Sequence, residues 1–501
     1  MTLAVWFGVT TVILHHLSLA EFGLWTLSTT LAGYVPLLDL GIGDALTRYL
    51  AASRARDEPL EENRWIASAF RIYLALGALT LVLTALFAPI FHDLFHLPRH
   101  DQGLALPVVA LAGLSTALSF PALTSLAVLQ GIQRFDLVNI VSMASALISG
   151  VAIVVVLWLG GNVVALTAVS VPMQVLSQIP MVMFIRRAAP ELSLRWSLAD
   201  RDSTRSLVSF GLAQAVVRGS RQARTYCDEI IIGAIKSVRL VTPYSVVRRI
   251  TQPAGDLSDQ LLDTLLPLVA HLHAREDRSQ LREVIVAGTR AAVGTCLLVG
   301  VSVSLLAEPF IRHWAGARYV THSSIAPLLL TTAVVWAILA PAENLLAGMR
   351  RLRTPVLAGI TAAVVKVALA VGLGLAFGVV GVAASGGLAA LINAVPVLIE
   401  GIRVSEISAF KWARQALAPP GLAAGLAAAA VLGTRALLGE GSLIIVMLDG
   451  AAGSLVFAAV YLSLPPAALE RTLLVRVLGP GFRRLRSGRA PRREDPGEGR
   501  R

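Results

Sequence analysis

Apolar positions in this chain come as long unbroken runs, not as period-two alternation. Runs fall near residues 3–19, 24–51, 66–91, 104–130, 137–160, 161–186, 207–236, 241–270, 284–308, 325–348, 355–377, 378–402, 417–438 and 443–464. Most reach the roughly 20 residues that carry a helix across the hydrocarbon core of a bilayer. A transmembrane barrel would show short alternating segments instead. The pattern therefore predicts an all-α polytopic membrane protein with about 14 transmembrane helices. The first run is short and lacks the basic residues and small-residue cleavage site of a signal peptide, so it is read as a truncated first helix.

Composition agrees, with 55% hydrophobic and 15% charged residues among 501 and a mean hydropathy of +0.72. The net charge of +12 would point a soluble chain toward nucleic acid. Here the charge instead follows the turns between runs. One alternate set is 52–65, 131–136, 187–206, 271–283, 349–354 and 403–416. With Arg186 and the tail from 465, this set holds 28 of the 43 basic residues. The opposite set holds six: Arg99, Lys236, Arg239, Arg312, Arg318 and Arg435. The positive-inside bias predicts that the arginine-rich turns and both termini are cytoplasmic. It also makes the tail an anchor for anionic lipids. Cys227 and Cys296 lie inside apolar runs and form neither a disulfide framework nor a zinc pattern. His92, His96 and His100 are spaced by four, but Pro98 interrupts any helix that would gather them around a metal. No Walker motif is present, "GLGLAFG" (372–378) lacks the strand–turn–helix setting of a nucleotide site, and no cofactor is expected.

The chain is written twice. Gly131, Arg134 and Arg186 recur as Gly348, Arg351 and Arg403 at an offset of 217. Trp25, Ala51 and Arg71 meet Tyr244, Ala270 and Arg290 at 219, and Pro89 meets Pro309 at 220. Six runs precede the repeat point, so the halves share one orientation and form a parallel repeat. The expected organisation is an N-lobe over 1–186, a cytoplasmic linker over 187–206 and a C-lobe over 207–403. Two additional helices follow over 404–464, then a basic tail over 465–501.

Nine basic residues remain inside the runs. Arg218, Arg221, Arg224 and Asp228 follow at steps of three, three and four, and at about 100° per residue they share one helical stripe. Arg249, Gln252, Asp256, Asp259 and Asp263 share a face of the next run. Charges facing lipid are costly, so two neighbouring stripes predict either a hydrated cleft or a salt-bridged seam. Asp39, Asp44 and Arg48 sit in "LDLGIGDALTRY" (38–49), where Asp44 and Arg48 are placed to pair at i,i+4 and Gly41 and Gly43 allow close approach or unwinding. Repeat-related Arg71 and Arg290 are candidates for the cavity rim, with anchoring at the interface as the alternative. Glu343 and Lys366 are isolated and are candidates to pair with each other or to carry coupling protons.

"EFGLWTLSTTLAGYVPLLDLGIGDALTRYLA" (21–51) resembles the first-loop and second-helix signature of polysaccharide- and O-antigen-exporting flippases. They belong to the multidrug/oligosaccharidyl-lipid/polysaccharide exporter superfamily. "CDEIIIGAIKSVRLVTPYSVVRRI" (227–250) resembles their seventh-to-eighth helix signature, with Asp228, Gly233 and Tyr244 in place. The resemblance runs to about residue 465; the short first run leaves any family residue near its start without a counterpart. It implies a non-enzymatic transporter of the bacterial inner membrane. Its cargo would be polyprenyl-pyrophosphate-linked oligosaccharide for lipopolysaccharide or other surface polysaccharide, carried by alternating access between two lobes. The substrate-binding cations would be Arg218, Arg221, Arg224, Arg249, Arg48, Arg71 and Arg290. Asp228, Asp39, Asp44, Asp256, Asp259, Glu343 and Lys366 would serve as charge partners or coupling groups. Other polysaccharide-assembly proteins are candidate partners, and nucleic acid is not. A multidrug or cation antiporter of the same superfamily is the alternative, though the arginines and the 6% aromatic content disfavour it. A glycan polymerase or ligase would need a larger outer loop than 309–324.

Overall fold

The computed structural model describes residues 2–32, 39, 41–97, 100–192, 196–262, 278–349, 351–439 and 441–464. Asp263, the tail from 465 and the side chains of Arg218, Arg221 and Arg224 lie outside the described residues. Among the described residues there is no strand. The helices are α1 (Thr2–His16), α2 (Leu19–Ala32), α3 (Ile42–Ala55), α4 (Pro59–Phe87), α5 (Gln102–Gly131), α6 (Phe135–Trp158), α7 (Val163–Ala188) and α8 (Arg201–Ile235). They continue as α9 (Val238–Leu262), α10 (Arg278–Leu305), α11 (Ala307–Trp314), α12 (Ala326–Gly348), α13 (Arg353–Val404), α14 (Ala409–Ala416), α15 (Ala418–Leu438) and α16 (Leu443–Ser463).

One departure from the predicted runs has a local cause. The run over 24–51 is not one helix. Gly41 takes φ 67° at the N-cap of α3, a left-handed conformation that no helix interior accommodates. The predicted division between the runs over 355–377 and 378–402 holds, because Gly378 (φ 64°) breaks α13 there. Lys366 touches Ser385 beyond that glycine, a contact a straight helix rising 1.5 Å per residue would forbid. The chain therefore doubles back there, and α13 is two antiparallel helices.

Nine of the described helical segments are long and apolar enough to cross a membrane. Their outward faces carry bare apolar side chains such as Leu86, Val151, Phe377 and Leu455. Without a hydrophobic drive between helices in lipid, close packing needs small residues. A Cβ on Gly77 of α4 would lie 2.9 Å from the Ala117 carbonyl of α5, so these backbones are nearly in contact. The repeated turns are built alike. The Arg134 N–H donates to the Leu129 carbonyl at 2.8 Å, and the Arg351 N–H donates to the Leu346 carbonyl at 2.8 Å.

The apolar core is divided into separate clusters. At the arginine-poor face, α1, α2, α9, α11 and the bend of α13 share one cluster that includes Phe22, Trp25, Tyr244, Ile311, Tyr319 and Val382. Tyr319 Oη donates to the Leu14 carbonyl at 2.8 Å and Trp314 Nε1 to Thr11 Oγ1 at 2.7 Å, which joins α1 to α11 and the turn after it. At the arginine-rich face the core divides. One part joins α3, α4 and α5 to Leu207 of α8, and the other joins α10, α12, α13 and α14.

Candidate functional site

The centre is built where α8, α9 and α13 meet. α8 presents two adjacent acids, Asp228 and Glu229, and α9 presents Tyr244 and Arg248 one turn apart. Residues at i and i+4 lie on one helical face, so each acid finds a partner. Tyr244 Oη donates to Asp228 Oδ2 at 2.6 Å, and Arg248 forms a salt bridge with Glu229. Across from them Lys366 of α13 reaches Asp228 Oδ1 at 2.6 Å. Lys366 is only 2% exposed, and its ammonium also donates to Ser385 Oγ at 2.9 Å.

Beside this network runs a polar cleft made of adjoining cavities. One of about 420 Å³ lies between α2 and α9 and is lined by Trp25, Thr26, Thr29, Glu229, Ser245 and Arg249. A second of about 170 Å³ continues past Arg249 to Thr10, Asp256 and Trp314. A third of about 270 Å³ extends between α9 and α12, from Asp228 and Tyr244 to Asp256, Asp259 and Glu343. The helices are pinned around it. A Cβ on Gly23 would fall 2.3 Å from the Val238 carbonyl, so α2 meets α9 backbone to backbone. Thr242 Oγ1 donates to the Leu19 carbonyl at 2.6 Å in the same seam.

That seam sets Trp25 beneath Arg249. The guanidinium carbon lies 5.1 Å from the Trp25 ring centroid and 5.7 Å from that of Phe22, the geometry of cation–π attraction. Arg249 also donates to Thr10 Oγ1 at 3.4 Å. Among the described residues it has no ion-pair partner. Glu229 Oε2 and Thr26 Oγ1, both at this cleft, are buried without hydrogen-bond partners among the described residues.

The remaining candidates separate. Asp39 is buried and accepts from Tyr73 Oη at 2.5 Å and from the Gly43 N–H at 3.3 Å, which ties the start of α3 to α4. Arg48 does not pair with Asp44; its guanidinium lies 4.8 Å from the Phe210 ring and 5.9 Å from the Tyr49 ring. The aromatic face it meets is contributed by Phe210 of α8. Arg71 is exposed and donates to Thr204 Oγ1 at 3.3 Å, whereas its repeat mate Arg290 is buried beside α16. Lys366 and Glu343 do not pair with each other. Lys366 is taken by Asp228, and Glu343 accepts from Asn393 Nδ2 at 3.1 Å. Sequence reasoning did not single out Glu229, Arg248 or Ser385. The first two form an opposite-charge pair in consecutive helices across a short turn, a readable signal. A lone serine in an apolar run carries none.

A family model described as "Polysaccharide biosynthesis protein" matches residues 16–324, more than half of the chain. The chain belongs to that family. Its fold is shared with solved transporters. The lipid II flippase MurJ in an inward closed conformation superposes with a TM-score of 0.70 at 14% identity, over 92% of this chain and 97% of that one. An inward-facing multidrug resistance MATE family transporter of the MOP superfamily gives a TM-score of 0.63 at 11% identity, over 80% of this chain and 96% of that one. The MATE multidrug transporter DinF-BH gives 0.57 at 16% identity, over 81% and 94%. At these identities the likeness is one of fold. No curated protein matches the chain in sequence. This member of the polysaccharide biosynthesis family is thus an all-α polytopic membrane protein with a flippase- and transporter-type fold.

Proposed function

We propose that the protein flips polyprenyl-pyrophosphate-linked oligosaccharide across the bacterial inner membrane for surface polysaccharide assembly. Two six-helix lobes would move by alternating access around the cleft between α2 and α9. The observation that carries this reading is Arg249, a cation at a polar cleft without an acidic partner among the described residues. A pyrophosphate entering a low-dielectric core needs such a compensating charge, and guanidinium offers planar paired donors to its oxygens. Thr26, Thr29, Ser245 and Gln252 along the same wall suit glycan hydroxyls. The polyprenyl chain stays in lipid. With α1 and α11 joined at the arginine-poor end, entry comes from the arginine-rich side, the cytoplasmic one by the positive-inside bias. Arg218, Arg221 and Arg224 remain proposed contributors from α8. The fold shared with the lipid II flippase MurJ supports a lipid-borne cargo.

A second reading has one observation in its favour. The cavity between α9 and α12 is bordered by Asp228, Asp256, Asp259 and Glu343, which suits a cationic drug. Asp228 is engaged by Lys366 and Glu343 by Asn393, and this weakens it. Export of lipid-linked oligosaccharide from vesicles carrying wild type, Arg249→Ala or Arg249→Lys tests both. A loss in Arg249→Ala at normal protein level, with partial recovery in Arg249→Lys, is expected. Undiminished glycan export in Arg249→Ala, with efflux of a cationic dye, would favour the antiporter.

A further inference from the structure

The repeated turns at the arginine-rich end share a backbone hydrogen bond but not a charge balance. In the first copy Arg134 is closed by Asp136, its Nε and Nη2 donating to the two carboxylate oxygens at 3.0 and 2.9 Å. At the same offset of 217 the second copy carries Arg351 and, in place of the aspartate, Arg353. Arg351 lines a cavity of about 830 Å³, and Arg403, Glu400 and Glu406 from the end of α13 and the turn after it share its wall. Among the described residues Arg351, Arg403 and Glu400 form no ion pair, although both signs of charge border one space. Arg282 of α10 donates to the Ser405 carbonyl at 3.1 Å, which holds that end of α13 in place. The cavity also reaches the lipid-facing surface. Ile399 lines it, is 54% exposed and continues a bare stripe of Leu388, Leu391, Ile392 and Val395 on one face of α13. At 1.5 Å per residue the stripe is about 16 Å long, the depth of one leaflet's hydrocarbon, roughly half of a 30 Å core.

We propose that this cavity holds the headgroup of an ethanolamine phospholipid from the leaflet on the arginine-rich side. Arg351 and Arg403 take the phosphate, to which guanidinium offers planar paired donors. Glu400 and Glu406 take the ammonium, whose three N–H groups match carboxylate acceptors. One acyl chain runs along the stripe from Ile399 to Leu388. A headgroup with phosphate alone leaves Glu400 facing negative charge, and a choline headgroup has no N–H to donate. The first copy of the turn closes on its own aspartate, so the lipid belongs to the second copy only. This site stands apart from the glycan reading, because it concerns a resident lipid at the rim of the C-lobe and not the cargo of the central cleft.

The test is lipid titration of the purified, delipidated full chain in neutral detergent, read by native mass spectrometry. The probes are dioleoyl phosphatidylethanolamine, phosphatidylcholine and phosphatidylglycerol. Wild type should bind the ethanolamine lipid about tenfold more tightly than either of the others, the equivalent of one charge-assisted contact. Arg351→Gln/Arg403→Gln should weaken that binding at least tenfold, and Glu400→Gln should bring it level with phosphatidylglycerol. Arg351 and Arg403 are exposed, so their replacement should leave the melting temperature unchanged; if the double variant does not fold, Arg351→Gln alone is taken through the same series. Arg134→Gln/Asp136→Asn, which alters the first copy of the turn, should keep the ethanolamine preference. Glycerophosphoethanolamine, the headgroup without acyl chains, should bind far more weakly, which separates a lipid from a free phosphate. Equal affinity of wild type for the three lipids overturns the proposal. So does an ethanolamine preference that survives in the arginine variants, or glycerophosphoethanolamine binding as tightly as the lipid. Displacement of the bound lipid one for one by polyprenyl pyrophosphate also overturns it, because the cavity is then a station for cargo.

Discussion

Lys366 and Arg249 are both basic side chains held within the membrane-spanning part of the protein, and they are met in opposite ways. Around Lys366 every neighbouring atom answers the charge: a carboxylate, a hydroxyl and a carbonyl, with 2% of the residue exposed. Around Arg249 the direct contacts are two aromatic faces and a threonine, Glu229 lies on the same cavity wall without forming an ion pair with it, and cavities open on either side. A satisfied buried charge ties helices together and leaves nothing for a ligand. A charge stabilised mainly by ring faces keeps its donors free, because cation–π attraction uses the flat side of the guanidinium and leaves its N–H edge available. Burial and charge alone thus do not mark a binding residue. The nature of the partner does.

The largest expected effect breaks the Lys366 side of this contrast. Asp228→Asn leaves a buried ammonium without its carboxylate, at a cost of about 3–5 kcal/mol. Folded protein in the membrane should fall sharply, and Asp228→Asn/Lys366→Met should restore it, as read by fluorescence-detected size exclusion. If the single and double variants fall equally, the pair is not the lock described here.

Arg249 should behave in reverse. Arg249→Ala should keep near-normal folded protein while oligosaccharide export drops at least tenfold, about 1.4 kcal/mol or more of lost stabilisation. A fall in folded protein matching that of Asp228→Asn would place Arg249 among the structural charges and erase the distinction.

Trp25→Leu sharpens the comparison by removing the ring and keeping an apolar side chain. About 0.5–2 kcal/mol of cation–π attraction is lost, so export should decline a few-fold with little change in melting temperature. Unchanged export would mean that the ring does not position the guanidinium. The smallest effect is expected from Ser385→Ala. It removes one of three oxygens around Lys366, worth about 1 kcal/mol, and should lower the melting temperature by about 2 °C without touching export.

The helical runs were legible in the sequence because a span of apolar residues has one low-energy state in a bilayer: a helix that satisfies its own backbone. The concentration of charge in α8 and α9 was legible as well. The interruption at Gly41 was half legible. Two glycines near an aspartate permit either close packing or unwinding, and Asp39 bonding to Tyr73 on a different helix accompanies the break. The merged α13 shows the same division of labour. The sequence placed the division between two runs at 377/378, and the bend falls there at Gly378, but the doubling back is visible only in the contact of Lys366 with Ser385.

What the sequence could not determine was which charge meets which. Asp44 and Arg48 are correctly spaced to pair, yet Arg48 faces Phe210. Glu343 and Lys366 are isolated in their own runs, yet each has a partner from another helix. Helical spacing sets neighbours on one helix, where only two or three positions are within reach. Partners between helices depend on the rotation and depth at which two helices dock, and docking is set by small residues such as Gly23 against Val238 rather than by the charges themselves. The sequence by itself therefore determined that this protein spans a membrane many times and carries its charges in two adjoining helices. Only the tertiary structure decided that Lys366 would be locked against Asp228 and Arg249 left facing a cleft, because that choice is made by backbone approach across the seams between α2, α8, α9 and α13.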